Sequence, residues 1–220
     1  QDTMALSYID PSITREHILY SASRQFTEGD VQHWWHPVIE SGIRTRFSDD
    51  LLWLPYVVED YIKNTGDYSI LDETAPYLAD KPLNSGEDER YSISGKSKEV
   101  GTIYQHCIGA LNKALKYGRH ELPLMGSGDW NDGFSSIGNQ GEGESIWLGW
   151  FLYKILDEFL SLCERMGDHE SACKYTAEKN FLVFNLEKNG WDGDWYRRAY
   201  FDDGTPLGSI QNDECKIDSI

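Results

Sequence analysis

A chain of 220 residues, 40% hydrophobic and 26% charged, has the size and balance of one large or two small soluble domains with a sizeable buried core. Its formal net charge of −17 argues against a nucleic-acid partner, since no surplus of Lys and Arg exists to neutralise phosphates, and against an anionic membrane surface. An anionic substrate would need a local cluster of cations working against that global field.

In chain order, residues 12–26 place Ile13, His17, Leu19 and Tyr20 at helical intervals behind Asp10-Pro11, a helix start. Residues 49–64 predict a helix with Ser48 as N-cap, Pro55 forcing a kink or a short first turn, and Gly66 closing it. Asp67 to about Leu78 predicts a shorter helix, and 79–98, rich in Gly, Ser, Lys and Glu, an exposed loop. Residues 99–117 carry Ile103, Cys107, Leu111, Ala114 and Leu115 on one face before Gly118. Residues 144–166 predict the longest and most apolar helix, closed by Gly167, and 168–188 another; only 195–201 reads as extended. Helices joined by loops, without βαβ alternation, predict an all-α fold, and the lack of a fixed-period repeat favours an (α/α) toroid over a solenoid.

Four cysteines without CxxC spacing give no zinc or redox motif and read as free thiols in a reducing compartment. Nothing resembles a signal peptide or an apolar span of about 18 residues. A start at Gln1 and a stop at Ile220 in mid-pattern predict a portion of a longer protein.

Eight Trp and thirteen Tyr are a heavy load of flat rings with polar edges, suited to sugar faces, although core packing accounts equally for most of them. The sharpest chemical signal is 121–134, ELPLMGSGDWNDGF, where Gly126, Gly128 and Gly133 bracket Asp129, Trp130, Asn131 and Asp132. Glycines there allow a tight loop, and a Trp wall beside a carboxyl favours its protonated form, which an acid catalyst requires. The competing reading is an Asx-rich turn plugged by a Trp. A second cluster, 30–50, joins His33, Trp34, Trp35 and His36 to Arg44, Arg46, Asp49 and Asp50. Such Arg and Asp side chains grip vicinal hydroxyls, or else form a capping salt-bridge network. His33 and His36 lack a third metal ligand. In 140–147, Glu142 and Glu144 precede Ser145, a helix cap, so that segment reads as structural with sugar contact as the alternative.

Taken together and in order, VQHWWHP, GIRTRFSDDLLWLP, GSGDWNDG, GEGESIWLGWF and GDWYRRAYFDDG resemble glycoside hydrolase family 94, the inverting glycoside phosphorylases. Within it they look most like the phosphorylase domains of cyclic β-1,2-glucan synthases and the 1,2-β-oligoglucan phosphorylases. The resemblance runs along nearly the whole chain. It implies a partial (α/α)6 barrel, with residues 1–220 a central portion of one catalytic domain and no second domain in this chain. The second aspartate of the family's WND signature, its acid, falls on Asp132. Trp130 would line the subsites, and Arg44, or equally Arg46, would grip the transferred glucosyl unit with Asp50. Asp49, Trp34 and Glu144 are further candidate sugar contacts. The partners implied are a β-glucan oligosaccharide, β-1,2-linked on the nearest resemblance, and inorganic phosphate as co-substrate, with no other cofactor and no metal. The phosphate pocket and the rest of the barrel would come from the parent chain, so this portion alone is expected to be inactive. A homodimer is left open. The expected location is the cytoplasm, or the cytoplasmic face of the inner membrane within a glucan synthase. Phe134 stands where relatives often carry Met, a change that conserves volume. Two alternatives remain: an inverting hydrolase with Asp129, Glu142 or Glu144 as base, and a glucan-binding or chain-length module.

Overall fold

Helix α1 (Pro11–Ala22) begins where Asp10-Pro11 places it, with the Asp10 carboxylate accepting from Ser12 N–H and Pro11 in the first turn. The computed structural model describes residues 2–217. They fall into two compact units, Gln1–Thr45 with Asp50–Ala114, and Arg46–Asp49 with Leu115–Ile220. The buried side of α1 is Thr14, Ile18 and Ala22; Ile13, given to the inward face by its spacing, is 44% exposed.

In the first unit, a 3-10 turn at Asp50–Leu52 leads into α2 (Trp53–Thr65). The early turn meets the expectation for Pro55, whereas Ser48 does not cap this helix: its hydroxyl goes to the Gly128 carbonyl. Leu54, Val57, Val58, Tyr61 and Ile62 form the inward stripe, and Gly66, at φ 72°, ends the helix in the left-handed conformation. Helix α3 (Ile103–Ala114) buries Ile103, Cys107, Ala110 and Leu111. Each large side chain so buried contributes roughly 1.5–3 kcal/mol.

Strands stand where loop or helix was expected, Thr74–Ala79 mostly in the stretch 67–78 read as helix and Glu89–Ile93 in the stretch 79–98 read as loop. β1 (Gln32–His36) and β2 (Ser41–Thr45) are antiparallel. After β3 (Thr74–Ala79), β4 (Glu89–Ile93) pairs with the other side of β2, and β5 (Gly95–Thr102) pairs with β3. The short helix expected from Asp67 to Leu78 is only a 3-10 turn, Tyr68–Asp72, capped by Asp67. Pro76 explains the change, because a proline inside a helix lacks its N–H; here it sits next to a register shift in β3.

The second unit holds α4 (Ile146–Arg165) and α5 (His169–Asn185), packed on each other with Phe159 edge-on to Tyr175. Ser145 caps α4 by accepting from Leu148 N–H, as its position suggested, and Asp168 caps α5 through Ser171 N–H. Three two-residue strands, β6 (Glu144–Ser145), β7 (Ala199–Tyr200) and β8 (Pro206–Leu207), make a small sheet in the order β6-β7-β8.

The expectation of an all-α fold, a partial (α/α)6 barrel, is therefore corrected. Among the described residues, five α-helices stand with three antiparallel sheets, a mixed α and β architecture. β7 lies inside 195–201, the one stretch that reads as extended, whereas β4 and β5 escape sequence reading because they are polar. β4 alternates exposed with half-buried residues and β5 is mostly exposed, so neither shows apolar alternation; they form because the ladders satisfy their backbone N–H and C=O groups. Among the described residues no helix is long and apolar enough to cross a membrane.

Candidate active site

In the second unit, the loop 126–134 is tied down along its length. Gly126, at φ 67°, forms a bridge with Phe47, and a Cβ there would lie 2.0 Å from the Arg46 carbonyl oxygen. Only glycine fits such a position. Gly128 lies so close to Phe47 that a Cβ would meet its ring at 2.3 Å, while its carbonyl accepts from Ser48 N–H at 3.0 Å.

Asp129 is fully buried, and its carboxylate is saturated. Arg198 donates to it from Nη1 at 2.7 Å and Nη2 at 2.6 Å, Ser145 Oγ at 2.6 Å and Asn131 N–H at 3.1 Å. Asn131 Oδ1 in turn accepts from Gly133 N–H at 2.9 Å. The guanidinium carbon of Arg198 sits 4.6 Å from the centre of the Phe134 ring. Asp132 lies between these two anchor points and is exposed. Trp130 is 45% exposed and begins a row of rings, 6.4 Å from Trp147, which is 5.3 Å from Phe151. Flat exposed aromatics beside a carboxyl suit a sugar ring.

Glu144, a candidate sugar contact, is fully buried and occupied within the protein. It accepts from His120 N–H at 2.9 Å and Leu122 N–H at 3.0 Å, and pairs with His120 Nδ1 at 2.5 Å. His120 stacks on Tyr200 at 3.8 Å. Burial raises the Tyr200 phenol above its ordinary range. Nearby, the Asp202 carboxylate accepts from the N–H groups of Gln140, Glu142 and Gly143, which fixes the 138–143 segment. Glu142 is exposed. Arg46 is exposed and Asp49 buried, both in this unit.

The first unit contains a cavity of about 240 Å³ whose lining includes Arg24, Gln32, His33, Trp35, Asp50 and Trp53. His33 Nδ1 lies 3.0 Å from both Asp50 oxygens, and Trp35 Nε1–H donates to Tyr20. Arg24 Nε and Gln32 Oε1 are buried there without a hydrogen-bond partner. Buried polar atoms left unpaired are costly. The cavity's volume falls below the roughly 300–1,000 Å³ of pockets for drug-sized ligands, which matches a single sugar ring better than a chain.

Arg44 does not line that cavity. It forks onto Asp30 with bonds of 2.6 and 2.8 Å, reaches Glu28 at 3.0 Å and lies 3.9 Å from the Phe26 ring centre, at 2% exposure. Burial alone would lower its pKa, but Asp30 and Glu28 outweigh that and hold it above the usual value. Arg44→Met is therefore expected to cost about 3 kcal/mol of unfolding free energy, the low end for a broken buried pair because both carboxylates keep access to water. Urea denaturation of the full-length protein measures this; an unchanged midpoint would deny the guanidinium a structural share. Trp34 faces outward at 42% exposure, 5.6 Å from Tyr91 and 5.2 Å from His36. Among the described residues no group of three or more His, Cys, Asp or Glu side chains is placed to hold a metal.

Sequence reasoning met Arg198 only inside the segment GDWYRRAYFDDG, and His120 not at all. The usable signal was the YRRAY segment, which reads as extended, so that two adjacent arginines point to opposite sides and one of them inward.

The family model described as the glycosyl hydrolase 94 superfamily, catalytic domain, matches residues 1–220. Cyclic beta-(1,2)-glucan synthase NdvB of Rhizobium meliloti is 45% identical over 221 residues, covering all of this chain and 8% of that protein. Solabiose phosphorylase of Paenibacillus borealis is 32% identical over 219 residues, 99% of this chain and 26% of its own length. An N,N'-diacetylchitobiose phosphorylase of Vibrio furnissii is 28% identical over 99% of this chain and 28% of its length. The chain thus spans between a twelfth and about a quarter of these relatives.

Proposed function

Because this chain belongs to the glycosyl hydrolase 94 superfamily, as part of its catalytic domain, we propose that its parent protein is an inverting phosphorylase of a β-linked glucan, with Asp132 as the acid. The linkage we propose is β-1,2, on the strength of the 45% identity to a cyclic β-1,2-glucan synthase. One observation carries the choice of acid. Asp129 and Glu144 are fully buried and saturated by protein donors, while Asp132 is exposed in the same glycine-bracketed loop.

The same burial bears on the type of reaction. An inverting hydrolase needs a second carboxylate, roughly 6.5–9.5 Å from the acid, to deprotonate water. Two of the three base candidates, Asp129 and Glu144, are withdrawn into hydrogen bonds, leaving the exposed Glu142. Phosphate is already an anionic nucleophile and needs no such base. In the proposed reaction a phosphate oxygen bonds to the anomeric carbon as the glycosidic C–O bond breaks. The Asp132 carboxyl gives its proton to the departing oxygen, and the products are α-glucose 1-phosphate and a shortened glucan. Asp50, with Arg24 and Gln32 of the same lining, would hold one sugar ring in the first unit's cavity. The four cysteines, all free, accord with a protein of the cytoplasm.

The deciding experiment follows α-glucose 1-phosphate release from β-1,2-oligoglucan by the full-length protein, with and without inorganic phosphate. Phosphate-dependent release is expected. Glucose release that proceeds equally without phosphate would replace the phosphorylase with a hydrolase based on Glu142, and sugar binding with no turnover would leave a glucan-binding module.

A further inference from the structure

We infer that Arg198 is a positioning residue for the acid: it acts through Asp129 and Phe134 to fix the loop that carries Asp132. This rests on the reading of Asp132 as the acid.

The observations are internal to the second unit. Arg198 is 4% exposed and grips the loop on both sides of Asp132. Three residues before it, the guanidinium forks onto the Asp129 carboxylate with bonds of 2.7 and 2.6 Å. Two residues after it, the same guanidinium lies over the Phe134 ring. A planar, permanently charged fork can do both at once, which an ammonium group cannot. The fork is itself held by regular structure. Arg198 O accepts from Ile146 N–H in the first turn of α4, and Arg198 N–H donates to Leu207 O of β8. Ser145 Oγ donates to Asp129, and its hydroxyl oxygen accepts from Leu148 N–H and, at 3.2 Å, from Arg198 Nη1. The loop is thereby locked to a helix N-terminus and to a sheet, while Asp132 itself is exposed.

General acid catalysis depends on the proton lying in line with the leaving oxygen, and a misplacement of about 1 Å can cost a factor of roughly 10². Loss of positioning and general loss of folding differ in one readout. An acid matters greatly when the leaving group is basic and little when it is already stable as an anion. A badly placed Asp132 should therefore slow a poor leaving group selectively, whereas a merely loosened protein slows every substrate alike.

The experiment uses the full-length protein with phosphate and two substrates, phenyl β-glucoside and dinitrophenyl β-glucoside, comparing wild type with Arg198→Lys. A second variant, Phe134→Leu, keeps an apolar side chain but removes the ring, and serves if the lysine protein does not fold. Arg198→Lys is expected to lower kcat for the phenyl glucoside by about 10²-fold with KM within twofold. For the dinitrophenyl glucoside, kcat should stay within about threefold of wild type, because its leaving group needs little protonation. Phe134→Leu should show the same selectivity with a smaller loss. Equal losses on both substrates in the variant that folds, or a rise in KM with kcat unchanged, would overturn the assignment. Failure of the phosphorylase reading shows separately, as wild-type turnover indifferent to phosphate, and the leaving-group selectivity remains measurable in that hydrolysis. A wild type with no sensitivity to the leaving group, and Asp132→Asn equal to it, would remove the acid and this inference with it.

Discussion

Asp132→Asn in the full-length protein is expected to lower kcat for phosphorolysis of the natural glucan by 10²- to 10⁴-fold, about the share that a positioned general acid contributes. KM should hardly move, since the asparagine amide has nearly the same shape and the side chain is exposed. The amide cannot release a proton, so the glycosidic oxygen would have to depart as an alkoxide. A glucoside whose leaving group is a strongly acidic phenol should escape most of the loss. The measurement is steady-state release of α-glucose 1-phosphate from both substrates. A loss equally large on both would show that Asp132 supports binding or folding rather than proton transfer, and full activity would remove it from the mechanism.

Gly126→Ala is expected to destabilise the protein by about 3 kcal/mol and to abolish measurable turnover. Two effects add. A left-handed backbone costs an L-residue roughly 1–2 kcal/mol, and the new methyl group would sit 2.0 Å from the Arg46 carbonyl oxygen, where backbone and not a pliable side chain must give way. Gly167 supplies the control. Its φ of 69° nearly equals the 67° of Gly126, yet nothing lies within 4 Å of its Cβ position. Gly167→Ala should therefore show the conformational cost alone. Urea midpoints for the two variants, each against wild type, separate the terms. Equal destabilisation would mean that the close approach of residues 46 and 126 is not a fixed part of the structure.

What was legible in the chain follows from the physics of each element. Helices α2, α3 and α4 were readable because their apolar residues recur at helical spacing and because glycines or prolines mark their ends, Gly66 and Gly167 being left-handed as such ends require. Helix α1 was readable from Asp10-Pro11, but its inward face was not: Thr14, Ile18 and Ala22 are too weakly apolar to stand out against Ile13 and Tyr20. Apart from β7, inside the stretch 195–201 that reads as extended, the strands were not readable, since a polar strand such as Glu89–Ile93 gains its stability from hydrogen bonds to neighbours remote in sequence. For the site, the GSGDWNDG segment located the loop but did not tell its two aspartates apart. Their difference is set by Arg198, 69 residues from Asp129, and no local pattern reports that. Arg44 likewise looked like a sugar ligand because an Arg near an Asp pair fits that role, while its partners Asp30 and Glu28, at the edge of that cluster and just before it, carry no local sign of the pairing.

The division of the chain has a consequence for anyone who would take the protein apart. Residues 46–49 belong to the second unit although the sequence on both sides of them belongs to the first. No single proteolytic cut, and no choice of start or stop codon, can yield both units whole. A piece beginning at Leu115 would lack Phe47 and Ser48, the neighbours against which Gly126 and Gly128 are set. During synthesis, too, the ribosome must deliver the chain well past residue 128 before those four early residues find their place. The loop that carries Asp132 cannot be locked until the chain has passed Arg198, the partner of Asp129.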